Sequence, residues 1–195
     1  MSSILDRNLF FVREHVGMFK AANNYDILDP ETGREVIHCR EDSLGAFTKM
    51  LRFTDFKRNT PFDIELRTPD GQPLVSVRRG TTFFISKVKV HDASGRVIGG
   101  FQQKLFSIGG RFKVVDADDN EVCELKGTWT GWDFKFVVGD QVLAHVTKKW
   151  SGLGKEMFTS ADNYVLSIDE GVPPGHISRQ LIIAAVMCID MVLKE

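Results

Sequence analysis

Several things are scarce in this chain. Of its 195 residues only three are cysteine (Cys39, Cys123 and Cys188), an odd number with no CxxC spacing. That argues against a disulfide framework or a cysteine metal site and fits a reducing compartment. Net charge is nearly absent, with 25 basic against 26 acidic residues. No global pull toward nucleic acid or an anionic surface follows, so any such binding must come from a local patch, and no nucleic-acid partner is expected. The opening MSSILDRNLF is charged by Asp6 and lacks a signal-peptide apolar core. There is no N-x-[ST] acceptor, Ser2 stands where myristoylation needs glycine, and no prenylation box closes the chain. These absences point to the cytoplasm.

Catalytic motifs are missing too. GxSxG and HExxH do not occur, and the phosphate-loop look of Gly152, Leu153, Gly154 and Lys155 fails at Glu156, where Ser or Thr is needed. The histidines His15, His38, His91, His145 and His176 are scattered, none at metal-ligand spacing. Neither a nucleophile beside a base nor a metal is suggested, so an enzyme is not expected.

Long apolar runs are absent with one exception, Ile177 to Leu193 (ISRQLIIAAVMCIDMVL), in which every residue from Leu181 to Ile189 is apolar. A helix hydrophobic all round is either a membrane span or buried in protein. This one would be roughly 26 Å long, short of the ~20 apolar residues a bilayer needs. A core helix is the favoured reading, with Cys188 acting as a small hydrophobe. Arg179 and His176 sit at the positive end of its dipole and Asp190 and Glu195 at the negative end, each the unfavourable sign. They are expected to reach solvent or a partner at a barrel mouth, with Asp190 held by an arginine or by backbone donors.

Before this helix the sequence shows short alternating runs around tight turns. Tyr25–Leu28 and Glu35–His38 flank DPETG, Asp63–Arg67 and Leu74–Arg78 flank TPDGQ, and Lys87–His91 and Arg96–Phe101 flank DASG. Arg111–Val115 and Glu121–Lys126 flank DADDN, and Trp132–Val138 and Gln141–Thr147 close on GD. Pro, Gly and Asp are what hairpin turns demand, and alternation such as Ile64/Leu66 against Asp63/Glu65/Arg67 is the half-buried antiparallel signature. Some ten to twelve strands must bury one apolar face. A barrel of that width leaves a lumen that a central helix can plug. The fold expected is mainly β: an antiparallel barrel enclosing the C-terminal helix, one domain over residues 1–195 with its core from about Leu9. The plug leaves a small-ligand carrier little room.

Ser43–Asn59 breaks the strand rhythm. Leu44, Phe47 and Leu51 fall at helical spacing, and Lys49, Arg52, Lys57 and Arg58 interleave with Phe47, Phe53 and Phe56. That pattern suits either a membrane surface or a helix packed over a barrel end with its charges solvated.

Three stretches in order, YDILDPETGREV, KKWSGLGKEMFTSADNY (Lys148–Tyr164) and the apolar helix closing on IDMVLKE, resemble the phospholipid scramblase family. More broadly they are similar to the Tubby C-terminal-like superfamily, which includes the LURP-one-related proteins. The resemblance runs from about Leu9 to the end. It implies a twelve-stranded barrel around a central helix and a link to phospholipid, either calcium-responsive lipid movement or phosphoinositide binding. Features of animal scramblases that are missing include a Pro-rich N-terminal arm and an acylated cysteine cluster. The calcium loop that the resemblance implies falls on Ser160, Ala161, Asp162, Asn163 and Tyr164, with Gly171 at the twelfth place where an acid is expected and Asp169 and Glu170 slightly early. Calcium wants six to eight oxygens, which leaves Asp162, Asn163 and Asp169 a poor set; the other reading of Asp162 and Asn163 is a turn bonded to its own backbone. No cofactor is expected.

The candidate lipid-binding residues are Lys49, Arg52, Lys57, Arg58, Arg78, Arg79, Lys148, Lys149 and Lys155, since clustered basic residues near an anionic surface contribute roughly 1 kcal/mol each. The expected function is a non-enzymatic barrel module, peripheral at the membrane, contacting anionic phospholipid or phosphoinositide, with a link to phospholipid movement between leaflets that this chain alone is not expected to carry out. The alternative is a cytoplasmic barrel that binds a protein partner and has no lipid role.

Overall fold

The structure, a computed structural model, describes residues 3–15, 24–42, 45, 60–80, 87–103, 112–128, 132–148 and 163–193. After a 3-10 turn at Ile4–Asp6 come β1 (Leu9–Glu14), β2 (Tyr25–Leu28), β3 (Glu35–Arg40), β4 (Phe62–Arg67), β5 (Pro73–Arg79) and β6 (Lys87–Asp92). They are followed by β7 (Val97–Gln103), β8 (Phe112–Asp116), β9 (Glu121–Thr128), β10 (Asp133–Val138), β11 (Gln141–Thr147), β12 (Asn163–Ile168) and helix α1 (Ile177–Leu193). Each strand pairs antiparallel with its sequence neighbours, and β1 also pairs with β12, so the sheet closes into the expected twelve-stranded barrel. Closure leaves no strand edge unpaired.

The alternating residues point their apolar halves inward. Ile64, Leu66, Val77, Val90, Phe134 and Phe136 are all fully buried against α1 or against one another. In α1, residues Leu181 to Met187 are each 0–5 % exposed, so this stretch of the helix has no solvent face. Burying a Leu, Ile or Met side chain contributes about 2 kcal/mol, and only a wall on all sides captures that from every face. Gly99 lets the helix come close. A Cβ there would lie 2.2 Å from the Val115 carbonyl oxygen and 2.9 Å from Leu181 Cδ2.

Two strands were not foreseen. β1 and β12 lie side by side at the seam and are buried on both faces. Phe10 and Val12 belong to the main core, while Phe11, Leu28 and Val165 form a second apolar cluster on the opposite side of the sheet. Burial on both sides erases the alternation that marks a strand. Asn163 is accordingly the first residue of β12, paired with Arg13, and not part of a turn.

The polar turns follow one device. Asp29 Oδ1 accepts from Glu31 N at 2.8 Å and Thr32 N at 3.1 Å, Asp92 Oδ1 from Ser94 N at 2.9 Å and Arg96 N at 3.0 Å, and Asp116 Oδ1 from Asp118 N and Asn120 N, both at 2.9 Å. Asp169 repeats it with Gly171 N at 2.8 Å. An aspartate at each of these four strand ends thus ties its own turn, and Thr68 Oγ1 does the same after β4 by accepting from Gln72 N at 3.0 Å.

Where α1 enters the barrel, Arg179 is 2 % exposed. Its guanidinium donates to the carbonyls of Val172, Pro173, Asp6 and Arg7 and to Asn8 Oδ1, at 2.6–3.1 Å. The charge at the unfavourable helix end therefore reaches neither solvent nor a carboxylate; carbonyl dipoles surround it instead. The Asp190 side chain and the Ser43–Asn59 helix (Gly45 apart) lie outside the described residues.

Candidate functional site

Antiparallel closure sorts the connections into two rims. At one, here the turn rim, strands are joined by residues 29–34, 68–72, 93–96, 117–120 and 139–140, and α1 enters after residues 169–176. At the other, the far rim, strand ends are joined by the stretches 15–24, 41–61, 80–86, 104–111, 129–132 and 148–162, all but 129–132 longer than any strand-to-strand turn of the first rim. Lys49, Arg52, Lys57, Arg58, Lys149, Lys155 and Asp162 all belong to far-rim connections and lie outside the described residues.

The remaining candidates are placed as follows. Arg78 is half-exposed on the outer wall, its Nε 3.0 Å from Asp63 Oδ1. Arg79, one residue on, faces the other way, as strand alternation demands. It is 4 % exposed, donates from Nη2 to the Thr60 carbonyl at 2.8 Å and sits 4.7 Å over the Phe62 ring. The two arginines therefore form no common patch. Lys148, at the far rim, holds its Nζ 4.1 Å from the Trp132 ring centre, and Trp132 stacks on Tyr164 at 5.6 Å. Asn163 opens β12 at the far rim and Asp169 follows its last residue at the turn rim. Six residues of extended chain separate them by about 20 Å, so the two do not ligate one ion.

Sequence inspection missed a polar network on the outer wall of β1, β2 and β3. Asp26, 4 % exposed, is reached by Arg13 Nη2 at 2.8 Å, His15 Nε2 at 2.6 Å and Arg40 Nη2 at 2.7 Å. Burial by itself would raise its pKa, but hydrogen bonds from Arg13, His15 and Arg40 overcome that and hold the carboxyl well below the usual range. Glu35 moves the other way, raised first by burial and then by the Asp26 charge. Asp26, Glu35 and His38 bring ligand atoms within 4.8 Å of one another, close enough for a metal ion. Arg40 Nη2 already stands among them, 3.2 Å from His38 Nδ1 and 3.8 Å from Glu35 Oε1. A guanidinium thus fills the cation's place and the cluster ties three strands together. Its only sequence signal is that Arg13, Asp26, His38 and Arg40 fall on outward positions of neighbouring strands, legible only once pairing is known.

Among the described residues no nucleophile is activated. The Cys39 thiol is pushed far up by burial, and Cys123, also buried, is pushed up to about 12, so both are inert thiols.

Comparison with known proteins agrees with this architecture. The family model described as Scramblase matches residues 6–195. The Saccharomyces cerevisiae protein named altered inheritance rate of mitochondria protein 25 is 23 % identical over 191 residues, covering 85 % of this chain and 58 % of that protein. A phospholipid scramblase family protein of Schizosaccharomyces pombe is 23 % identical over 172 residues, covering 84 % of this chain and 45 % of that protein. The chain thus spans about half the length of the curated relatives it matches. An Arabidopsis thaliana protein solved by X-ray crystallography shares the fold, with TM-score 0.55 and 14 % identity over 94 % of this chain and 91 % of that one. No helix among the described residues is long and apolar enough to cross a membrane, which says nothing of strands.

Proposed function

The chain belongs to the scramblase family, and from that premise we propose that it is a non-enzymatic barrel module contacting phospholipid head groups with its far rim. The observation that carries this reading is the contrast between the two rims. Turn-rim connections hold Asp29, Glu31, Asp70, Asp118, Asp119, Asp140, Asp169 and Glu170 against Arg34 and Arg96, and no Phe, Trp or Tyr. Far-rim connections (15–24, 41–61, 80–86, 104–111, 129–132 and 148–162) hold Lys20, Lys49, Arg52, Lys57, Arg58, Lys104, Arg111, Lys148, Lys149 and Lys155 against Glu41, Asp42, Asp55, Glu156 and Asp162. The same stretches carry more than half of the chain's 15 phenylalanines, with Trp129, Trp132 and Trp150. A nearly neutral protein with one acidic and one basic, aromatic end orients on an anionic surface although its net charge does not attract it. Aromatics set among lysines and arginines suit the head-group layer.

Lipid movement between leaflets by this chain alone is not part of the proposal. A polar path must cross ~30 Å of hydrocarbon, and α1 is enclosed by the wall. Sedimentation with vesicles tests the reading. Vesicles containing phosphatidylserine should bring the protein down at low salt, purely phosphatidylcholine vesicles should not, and replacing Lys49, Arg52, Lys57 and Arg58 by Gln should abolish sedimentation. Equal binding to both vesicle types, or none, refutes it and leaves the protein-partner alternative.

A further inference from the structure

On the outer wall, a groove of about 390 Å³ runs between β6 and the β7–β8 hairpin. One side carries Lys87 and Lys89 and the other Asp119; between them the floor is Gly100 and Val115, the latter 4 % exposed. Lys87 and Lys89 are two apart on one strand, so both stand on the same face. Gly100 is the cross-strand partner of Lys89 on one side and of Val115 on the other. Having no side chain, it lets β6 approach closely, since a Cβ there would lie 2.1 Å from the Val88 carbonyl oxygen.

Opposite charges line this groove without meeting. Among the described residues neither lysine pairs with a carboxylate. The nearby Lys113 is taken by Glu121 at 2.6 Å, and Asp119 Oδ1 accepts from a neutral donor, Gln102 Nε2, at 2.8 Å. Asp116, paired with Gly99, turns its carboxylate into its own hairpin, where Asp118 N, Asn120 N and Asn120 Nδ2 donate to it, and so takes no part in the groove. Lys89 also faces Arg78 directly across β5 and β6, but Arg78 is taken by Asp63 at 3.0 Å, which leaves Lys89 as the cation of the two without a carboxylate.

We infer that the groove binds a zwitterionic head group of the phosphoethanolamine kind, its phosphate between Lys87 and Lys89 and its primary ammonium on Asp119. Phosphate needs the two cations, and an ammonium supplies N–H donors that a carboxylate can accept and that a quaternary choline lacks. Lys87 stands at the far-rim end of β6, so the groove opens toward the rim proposed to meet the membrane. The inference deepens that proposal by naming the head group.

The test uses soluble O-phosphoethanolamine, O-phosphocholine and inorganic phosphate, followed by amide NMR shifts, beside sedimentation with phosphatidylcholine vesicles with and without phosphatidylethanolamine. Phosphoethanolamine should shift the Gly100 and Val115 amides and bind more tightly than the other two probes, and vesicles with phosphatidylethanolamine should bind more tightly than those without. Lys87→Gln and Lys89→Gln should each weaken binding about fivefold. Asp119→Asn, at a positive φ that asparagine tolerates, should erase the preference for ethanolamine over choline while phosphate still binds. Thermal unfolding close to wild type confirms that these surface variants are folded. Absence of groove shifts at millimolar probe, or a preference that survives Asp119→Asn, overturns the inference. Anionic-vesicle binding that survives all three substitutions alongside unshifted amides sinks the groove and spares the rim, whereas groove binding without anionic-vesicle binding does the reverse.

Discussion

Two buried charged residues carry more of this fold than their exposure suggests. Arg179 satisfies five acceptors around the helix entrance. In Arg179→Met those acceptors lose their donor, and stability should fall by at least about 3 kcal/mol, read from urea unfolding. Lysine should restore less than half of the loss, because one ammonium cannot span the positions a guanidinium fork reaches. Asp26 and Glu35 should show opposite pH signatures. Asp26 has a depressed folded pKa, so its contribution is present above the unfolded value of about 3.9 and is lost as pH falls through the folded one. Asp26→Asn should therefore cost about 3 kcal/mol at pH 7, with the gap to wild type closing only below about pH 4. Glu35 has a raised folded pKa, so its contribution is full below the unfolded value of about 4.3 and declines as pH rises. Glu35→Gln should then be more stable than wild type at pH 7 and lose that advantage in acid. Denaturant midpoints across pH 3–7 read both curves.

Among the elements, ten of the twelve strands were legible because nearly all have one wet and one dry face and a turn chemically marked at the end, while β2, buried throughout, was marked by its DPETG turn. β1 and β12 were not, because the seam is dry on both sides and LFFVRE and NYVLSI carry no alternation. The helix was plain from its all-round apolarity, while its clamp was not, since nothing local in the chain ties Arg179 to Asp6 and Arg7. Site residues were legible only as composition. Alternation separates Arg78 from Arg79 at once, yet the opposition of Lys89 to Arg78, and of the lysine wall to Asp119, needs the register. At this scale Gly99→Ala is the sharpest probe of how closely α1 meets the wall. Its Cβ would press on the Val115 carbonyl as well as on Leu181, so a loss of about 2 kcal/mol or more is expected. Leu181→Ala should not repair it, because the backbone contact remains; full repair would mean that the helix alone sets the constraint.

The molecule as a whole is a closed wall around a consumed helix, with short acidic turns at one end and long basic, aromatic connections at the other. An enclosed α1 leaves the exterior and the rims as the places for function, and the charge contrast decides between the rims. One measurement tests this most directly. An environment-sensitive fluorophore is placed in turn on a single cysteine introduced at Lys155, at the far rim, and at Asp70, at the turn rim, and vesicles containing phosphatidylserine are added. The account predicts a blue shift at position 155 that salt reverses, and none at position 70. A shift at position 70, or equal shifts at both, would contradict it.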